Sequence, residues 1–428
     1  MPGEDIRFDP WWWEAAPPVP QAEAPLPATA DVAIVGAGFT GLSAALTAAR
    51  AGRRVAVLEA GEPGSGASTR NGGMVGSGHK AAYGQLSRRY GKKAALDFLG
   101  VGIAALEFTA GLIEREGIEC HFTRSGRFRA AWRPAHYETM ARETDLLAHE
   151  IGLEAEMVPR AEQGREVATD VYHGGCLYPR HGSLHPALFH RGLLDRAEGA
   201  GARVFARSPV TGMRRDGNRL ILRTPRGTLA ASDVIIATNG YTGGITPGLR
   251  RRVIPIPSFI IATEELPAER IRALIPGGRM IVDTRAAHCY YRASPDGRRL
   301  LFGGRAALHP IDLRLGAKRL HALMSGIFPQ MAGVAVTHSW TGFVAYTRDR
   351  LPHLGKLDGV HYALGYSGSG VAMAPYLGHK AALKALGSDE GRTPLDDARF
   401  AAFPLYTGRP WFLPLANLWF RAMDAFGY

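Results

Sequence analysis

The sequence predicts an α/β chain. A doubly wound domain with a parallel sheet is joined to a discontinuous second α+β domain based on an antiparallel sheet. Three observations predict it. Residues 31–59 run strand, glycine-rich turn, helix, strand and acidic residue in that order. Segments of the same character recur at 170–245 and 335–390, well separated from the first at 31–80. The stretches between them, 81–169 and 246–334, carry alternating patterns instead, such as Arg279-Met-Ile-Val-Asp283 and His288-Cys-Tyr-Tyr-Arg-Ala293, with a turn at Asp296-Gly297. The chain has 428 residues, 46% of them hydrophobic. At ~100–200 residues per domain it holds two to three units that can each bury a core, and disorder over most of its length is excluded.

Residues 1–30 are rich in proline and carry acidic residues. A secretory leader needs a basic start and an unbroken apolar stretch, so this reads as an extended arm anchored by Trp11, Trp12 and Trp13, in a cytoplasmic protein. Asp31–Val35 is a short apolar run suited to a buried parallel strand. It enters Gly36-Ala-Gly38-Phe-Thr-Gly41. There Gly36 allows the tight turn, Gly38 the approach of backbone to a pyrophosphate, and Gly41 close helix–strand packing, as in Rossmann-like folds. The following helix presents free N–H groups and the positive end of its dipole to phosphates. A second strand, 53–58, ends at Glu59, placed to accept both ribose hydroxyls of an adenosine and to disfavour a 2′-phosphate. Glu62–Met74 is a long run of small residues that lets backbone lie flat against a large planar group.

The form G-S-G-A-S-x-R-N-G-G at residues 64–73 resembles the D-amino-acid oxidase superfamily of FAD-dependent amine and amino-acid oxidoreductases, and within it the γ-glutamylputrescine oxidase branch. Three later blocks share the resemblance: Asp233–Tyr241, Trp340–Pro352, and Gly365-Tyr-Ser-Gly-Ser-Gly370 with the helical pattern after it. It implies FAD as cofactor. Contacts are implied at Gly36, Gly38, Phe39, Thr40, Gly41, Glu59 and Ala60, and at Gly66, Ala67, Ser68, Arg70, Asn71, Gly72, Gly73 and Met74. Further along they fall at Val210, Ala237, Thr238 and Gly342, and at Gly365, Ser367, Gly368, Gly370 and Val371. Gly342 stands near the place where sarcosine oxidases attach FAD through cysteine, and Gly64–Gly73 contains no histidine, so the FAD is expected to be non-covalent. Ala372 replaces a lysine that grips a substrate carboxylate in those relatives. No lysine occurs between Lys93 and Lys318, so the lysine that promotes oxygen reduction in some relatives is expected to be absent.

The implied chemistry is hydride transfer to flavin from the carbon bearing an amine, then hydrolysis of the imine, with O2, a quinone or another acceptor taking the electrons. No side-chain base is required if the amine arrives neutral, and no Ser-His-Asp or paired-carboxylate constellation is expected. Tyr290 and Tyr291 alternate on a strand, so one of them points inward. Tyr291, Trp340 and Tyr366 are the candidates at the reacting centre; Arg292, Arg305 and Tyr346 are the candidates for holding substrate. Core packing or a surface ion pair is the other reading of each. The substrate is a small amine or amino acid; an imino-acid or glycine-type oxidase, and a peripheral-membrane amine dehydrogenase feeding a quinone, are the alternatives.

The rest of the sequence excludes more than it adds. Three cysteines without C-x-x-C spacing give neither a disulfide scaffold nor a zinc site, and no metal is expected. No apolar run approaches 18 residues, so no membrane span is expected. The net charge of +12 comes from arginine, since only 7 of 51 basic residues are lysine. The arginines are scattered rather than clustered among aromatics, which argues against nucleic acid. Residues 391–428 read as an aromatic tail whose last part is a helix docked on the protein rather than a membrane anchor. The oligomeric state is left open.

Overall fold

The computed structural model describes residues 2–18, 20–22, 24–286 and 288–416. The expected terminal helix of the aromatic tail falls mainly on 417–428, outside the described residues.

Two sheets organise the chain. The first contains the parallel strands Arg203–Phe205, Val55–Leu58, Thr29–Val35 and Gly227–Ile236, side by side in that order. Val32 to Val35 pair with Val55 to Leu58 on one side, and Ile34 pairs with Ile235 on the other. Both faces of Thr29–Val35 are covered, which is why its sequence is a continuous apolar run rather than an alternating one. Gly227–Ile236 pairs antiparallel with Arg219–Thr224 along its first half. At its end it turns to a parallel partner, Val360–Leu364. The alanine-rich helix Phe39–Arg50 lies on this sheet, covered in turn by helices Gly370–Ala385 and Pro186–Gly199.

The second sheet has nine strands among the described residues. Their order is Pro2–Arg7, Val336–Tyr346, Ile254–Thr263, Leu300–Gly304, Cys289–Ala293, Met280–Asp283, Arg127–Ala130, Gly175–Tyr178 and Glu156–Val158. It is largely antiparallel, and the Asp296-Gly297 turn links two of its strands with Gly297 at φ +70°. Its far face packs on the Leu313–Ile327 helix through Phe259, Phe302, Leu320 and Met324. Asp312 caps that helix by accepting from the amides of Arg314 and Leu315.

Three expected boundaries differ from the structure. Val336–Tyr346, placed by sequence with the nucleotide-type segments, is a strand of the second sheet, held to Ile254–Thr263 through ten paired positions. Gly175–Tyr178, placed likewise, pairs with Arg127–Ala130 in that same sheet. The arm is not merely extended, because Pro2–Arg7 adds a parallel edge strand beside Val336–Tyr346. Proximity in sequence to a glycine turn does not say which sheet a strand joins. A fourth difference concerns apolar length. The helix Lys92–Arg115 has the length and apolar composition of a membrane span, yet Phe98, Val101, Leu106 and Ile113 are buried in the core against neighbouring helices.

Candidate active site

The first half of the site is backbone. Gly36 adopts φ +104°, a conformation L side chains rarely take. A Cβ on Gly41 would sit 1.9 Å from the Gly36 carbonyl oxygen, so the helix can start this close to the strand only with glycine there. A Cβ on Gly38 would sit 2.8 Å from Ser68 Oγ. The Phe39 amide donates to that same hydroxyl at 2.9 Å, which joins the helix N-terminus to the small-residue loop. Glu59 accepts from the amides of Ala37 (2.7 Å) and Gly61 (3.0 Å), fixing its carboxylate at the strand end. Ala237 lies across from Gly36, its amide donating to Val35 at 2.9 Å, and Thr238 bonds Thr242. Ala60 is exposed and Val210 packs against the parallel sheet's core.

The loop from Gly64 to Met74 is held from behind by three indoles. Trp12 Nε1 donates to the Asn71 carbonyl at 2.8 Å, Trp13 Nε1 to Thr69 Oγ1 at 2.9 Å, and Trp340 Nε1 to the Arg70 carbonyl at 3.0 Å. Arg70 stacks on Trp13 at 4.6 Å and donates to the Ser65 carbonyl at 2.8 Å. Arg292 donates to the carbonyls of Gly73 (3.2 Å) and Leu184 (2.9 Å). Trp340 and Arg292 were expected at the substrate. The structure instead spends their polar atoms on the loop, with Trp340 buried beside Trp12. Tyr366 is likewise displaced from its expected role. Its hydroxyl meets Thr40 Oγ1 at 2.6 Å and donates to the Ala363 carbonyl, tying the C-terminal glycine turn to the first helix.

The loop floors a cavity of about 400 Å³ that opens beneath the second sheet. Of the expected cofactor positions, Ala67, Arg70, Asn71, Gly72, Met74, Gly342, Ser367, Gly368 and Val371 line it. Gly365 and Gly370 bracket the C-terminal turn, which runs into the Gly370–Ala385 helix with Ser367 at φ +51° and Gly368 at φ +110°. Two helix N-termini, a strand-to-helix turn packed so tightly that Gly36, Gly38 and Gly41 leave no room for a Cβ, and a floor of small residues fit a dinucleotide with a planar ring, and so fit FAD.

The roof comes from the second sheet. Tyr290, not Tyr291, faces the cavity, its hydroxyl 2.9 Å from Ser258 Oγ and its ring over Gly72. Burial pushes the Tyr290 phenol up to about 12. Tyr291 points the other way into the core, stacks on Phe302 and donates to the Tyr172 hydroxyl at 3.2 Å. Alternation requires one of the pair to face each way, and the sequence carries nothing that sets the phase. Arg305 and Tyr346 both line the cavity and bond to one another, the guanidinium donating to the phenol.

Several lining residues had no place in the sequence reading. Lys80 is one: it stands before the lysine-free interval between Lys93 and Lys318, and it lines the cavity. Burial, with Arg305 and Arg129 nearby, lowers the Lys80 ammonium to about 7. Arg127, Arg129, Arg285 and His288 also line the wall, and burial keeps His288 well below the usual histidine range. Asp283 is paired with Arg285 at 2.5 Å. Among the described residues, Arg70, Lys80, Arg127, Arg129, Arg285 and Arg305 thus face only two carboxylates on the cavity wall, Glu143 and Asp283. Ala372 is buried, its carbonyl accepting from Thr109 at 2.9 Å.

The chain matches the family described as DAO, FAD dependent oxidoreductase, over residues 31–383. It is 32% identical over 420 residues to the probable oxidoreductase OrdL of Rhizobium meliloti (strain 1021), covering 97% of both chains. It is 33% identical over 345 residues to the gamma-glutamylputrescine oxidoreductase of Escherichia coli (strain K12), covering 80% of each. The solved glycine oxidase of Geobacillus kaustophilus has the same fold, with a TM-score of 0.71 at 23% identity over 89% of this chain and 100% of that one.

Proposed function

Because the chain belongs to the DAO family of FAD-dependent oxidoreductases, we propose that it oxidises the C–N bond of a small amine or amino acid, as a γ-glutamylputrescine oxidase does. The observation that carries this is the cavity itself: a small-residue floor under a roof of Tyr290, Arg305 and Tyr346, with cations in excess on its wall. Bound FAD supplies the acceptor for the two electrons and hydrogen that leave the amine-bearing carbon as hydride. The substrate is left as an imine, which water hydrolyses to a carbonyl compound and the free amine or ammonia. Non-covalent FAD and an electron acceptor that is O2 or a quinone belong to the same proposal.

This chain's residues bind, orient and shield. Tyr290, bonded to Ser258 and set over Gly72, closes the space above the floor and limits how the substrate carbon can lie. Phe343, Val344 and Val371 exclude water from the same end. Trp12, Trp13, Trp340 and Arg292 hold the floor without touching the substrate. The Arg305–Tyr346 pair offers a guanidinium and a phenol to a carboxylate, which supports a glycine-type or imino-acid oxidase as the second reading. A cytoplasmic setting is supported by Cys120, Cys176 and Cys289, three buried thiols that form no disulfide.

The test is anaerobic reduction of the holoenzyme's flavin against a panel of amines and amino acids, followed by admission of air. Loss of the oxidised-flavin absorbance with an N-acylated diamine supports the first reading, and with glycine or an imino acid the second. A flavin that no primary or secondary amine reduces overturns both. Re-oxidation in air identifies O2 as an acceptor.

A further inference from the structure

Among the described residues, Lys80, Arg127 and Arg129 line the cavity without a carboxylate ion-paired to them. Resting on the amine-oxidation reading above, we infer that Lys80, Arg127 and Arg129 form an anionic subsite that takes a carboxylate at the far end of an extended amine substrate.

The placement follows from the sheet. Arg127 and Arg129 alternate with Phe128 and Ala130 on one strand. The two apolar side chains are fully buried in the core, which turns both guanidinium groups to the cavity. In the register of the roof, Arg129 stands opposite Val282, Val282 opposite Tyr290, and Tyr290 opposite Gly303. Neighbouring strands lie about 4.8 Å apart, so Arg129 is roughly 10 Å across the roof from Tyr290. Tyr290 marks the reacting end, because its ring covers Gly72 of the floor; a Cβ on Gly72 would be 3.1 Å from it. Gly303 leaves room for that ring, since a Cβ there would be 2.2 Å from it.

Among the described residues, no carboxylate makes an ion pair with Lys80, Arg127 or Arg129. Asp283 is occupied by Arg285 and by the Cys289 amide. Glu143 shares the wall, but its Oε1 is held by the Tyr83 amide at 2.7 Å. Arg127 Nε is buried with no hydrogen-bond partner. Arg129 has the Tyr178 phenol as a hydrogen-bond partner but no carboxylate. Desolvated cations without a counter-charge are unfavourable, and burial lowers Arg127 to about 10 as it lowers Lys80 to about 7. An arriving carboxylate supplies the missing charge. The carboxylate of an α-amino acid, attached to the reacting carbon itself, does not span this distance. At about 3.5 Å per three chain bonds, the amine-bearing carbon and the carboxylate must be separated by roughly eight or nine bonds.

Two probe pairs test this on the holoenzyme. N-(4-aminobutyl)glutaramic acid and its terminal carboxamide differ only in the distal charge, and kcat/KM is compared between them. N-butylglutaramic acid and its carboxamide lack the reacting amine, and their Kd values are read from the flavin difference spectrum. The carboxylate member of each pair is expected to be favoured about 10- to 100-fold, the range for hydrogen bonds to charged groups. That ratio is expected to fall below about threefold in Arg129→Gln and in Lys80→Met. Equal Kd values for the second pair in the unaltered enzyme overturn the subsite, whatever is oxidised. A ratio that persists in both variants also overturns it. If the second pair is discriminated and no amine is oxidised, the amine-oxidation reading falls while the subsite stands.

Discussion

Replacing Trp12 by phenylalanine tests whether the N-terminal arm controls the cofactor. Trp12 is fully buried, and its indole donates at 2.8 Å to the carbonyl of Asn71, a residue that lines the cavity. Phenylalanine keeps most of the apolar contact with Trp340, Ile260 and Leu301 and removes the donor. A buried carbonyl left without its partner costs about 1–3 kcal/mol. If that cost falls on the loop conformation FAD needs, its Kd rises by about 5- to 150-fold. Trp12→Ala adds a cavity and costs about 3–5 kcal/mol, enough to lower Tm as well. Trp13→Phe is the control. Trp13 is only half-buried and donates to a hydroxyl that also bonds to the Gly64 carbonyl, so about 0.5–1.5 kcal/mol is expected. The assay is fluorescence titration of apoprotein with FAD, beside a melting curve of each variant without cofactor. If Trp12→Phe lowers Tm while its FAD affinity stays within about twofold of the parent, the arm holds the fold and not the loop, and the reasoning fails.

Three further expectations follow from the same geometry. Gly41→Ala forces a Cβ onto the Gly36 carbonyl at 1.9 Å, so a loss of at least about 1–3 kcal/mol with weakened FAD retention is expected; normal retention on gel filtration would refute the tight turn. Tyr290→Phe should lower kcat/KM about tenfold with little change in Tm, whereas Tyr291→Phe should lower stability by about 1 kcal/mol with kcat intact; the reverse pattern would exchange their assignments. Burial pushes the Asp349 carboxyl up, but hydrogen bonds from His353, Tyr90 and the Leu351 amide outweigh it and hold it down to about 2. A depressed carboxylate contributes stability above its unfolded value and loses it as pH falls through the folded value. About 2 kcal/mol should therefore disappear between roughly pH 4 and pH 2, and Asp349→Asn should remove that part of the acid dependence in urea titrations.

What the sequence made legible is what backbone geometry demands locally. Gly36, Gly38, Gly41 and Glu59 could be placed because the turn, the cradle and the strand end accept few other residues. The phase of Tyr290 and Tyr291 could not, because both faces of their strand are covered, one by core and one by cavity, and tyrosine suits either. Trp340 and Arg292 sit near the segments that build the site, yet their polar atoms are spent elsewhere. Their partners are the carbonyls of Arg70 and Gly73, 270 and 219 residues away in sequence. Arg127 and Arg129 stand in an alternating Arg-Phe-Arg-Ala pattern. Their role depends on register with Val282, far along the chain, and no local pattern encodes that. Lys80 lies far in sequence from the strands of the roof, and only the fold brings it to the cavity.

The pairing of Pro2–Arg7 with Val336–Tyr346 has a consequence for how the chain comes to life on the ribosome. The strand Pro2–Arg7 has no partner until some 330 residues have followed it. At 5–20 residues per second that is a wait of about 15–65 s. Until then the edge of Pro2–Arg7 is unpaired, and the loop from Gly64 to Met74 lacks the Trp340 clamp. Contacts of such long separation form late, after the local helices. Tight retention of FAD therefore reports that Val336–Tyr346 has been made and placed: the floor is locked from behind only after Trp340 has reached the Arg70 carbonyl.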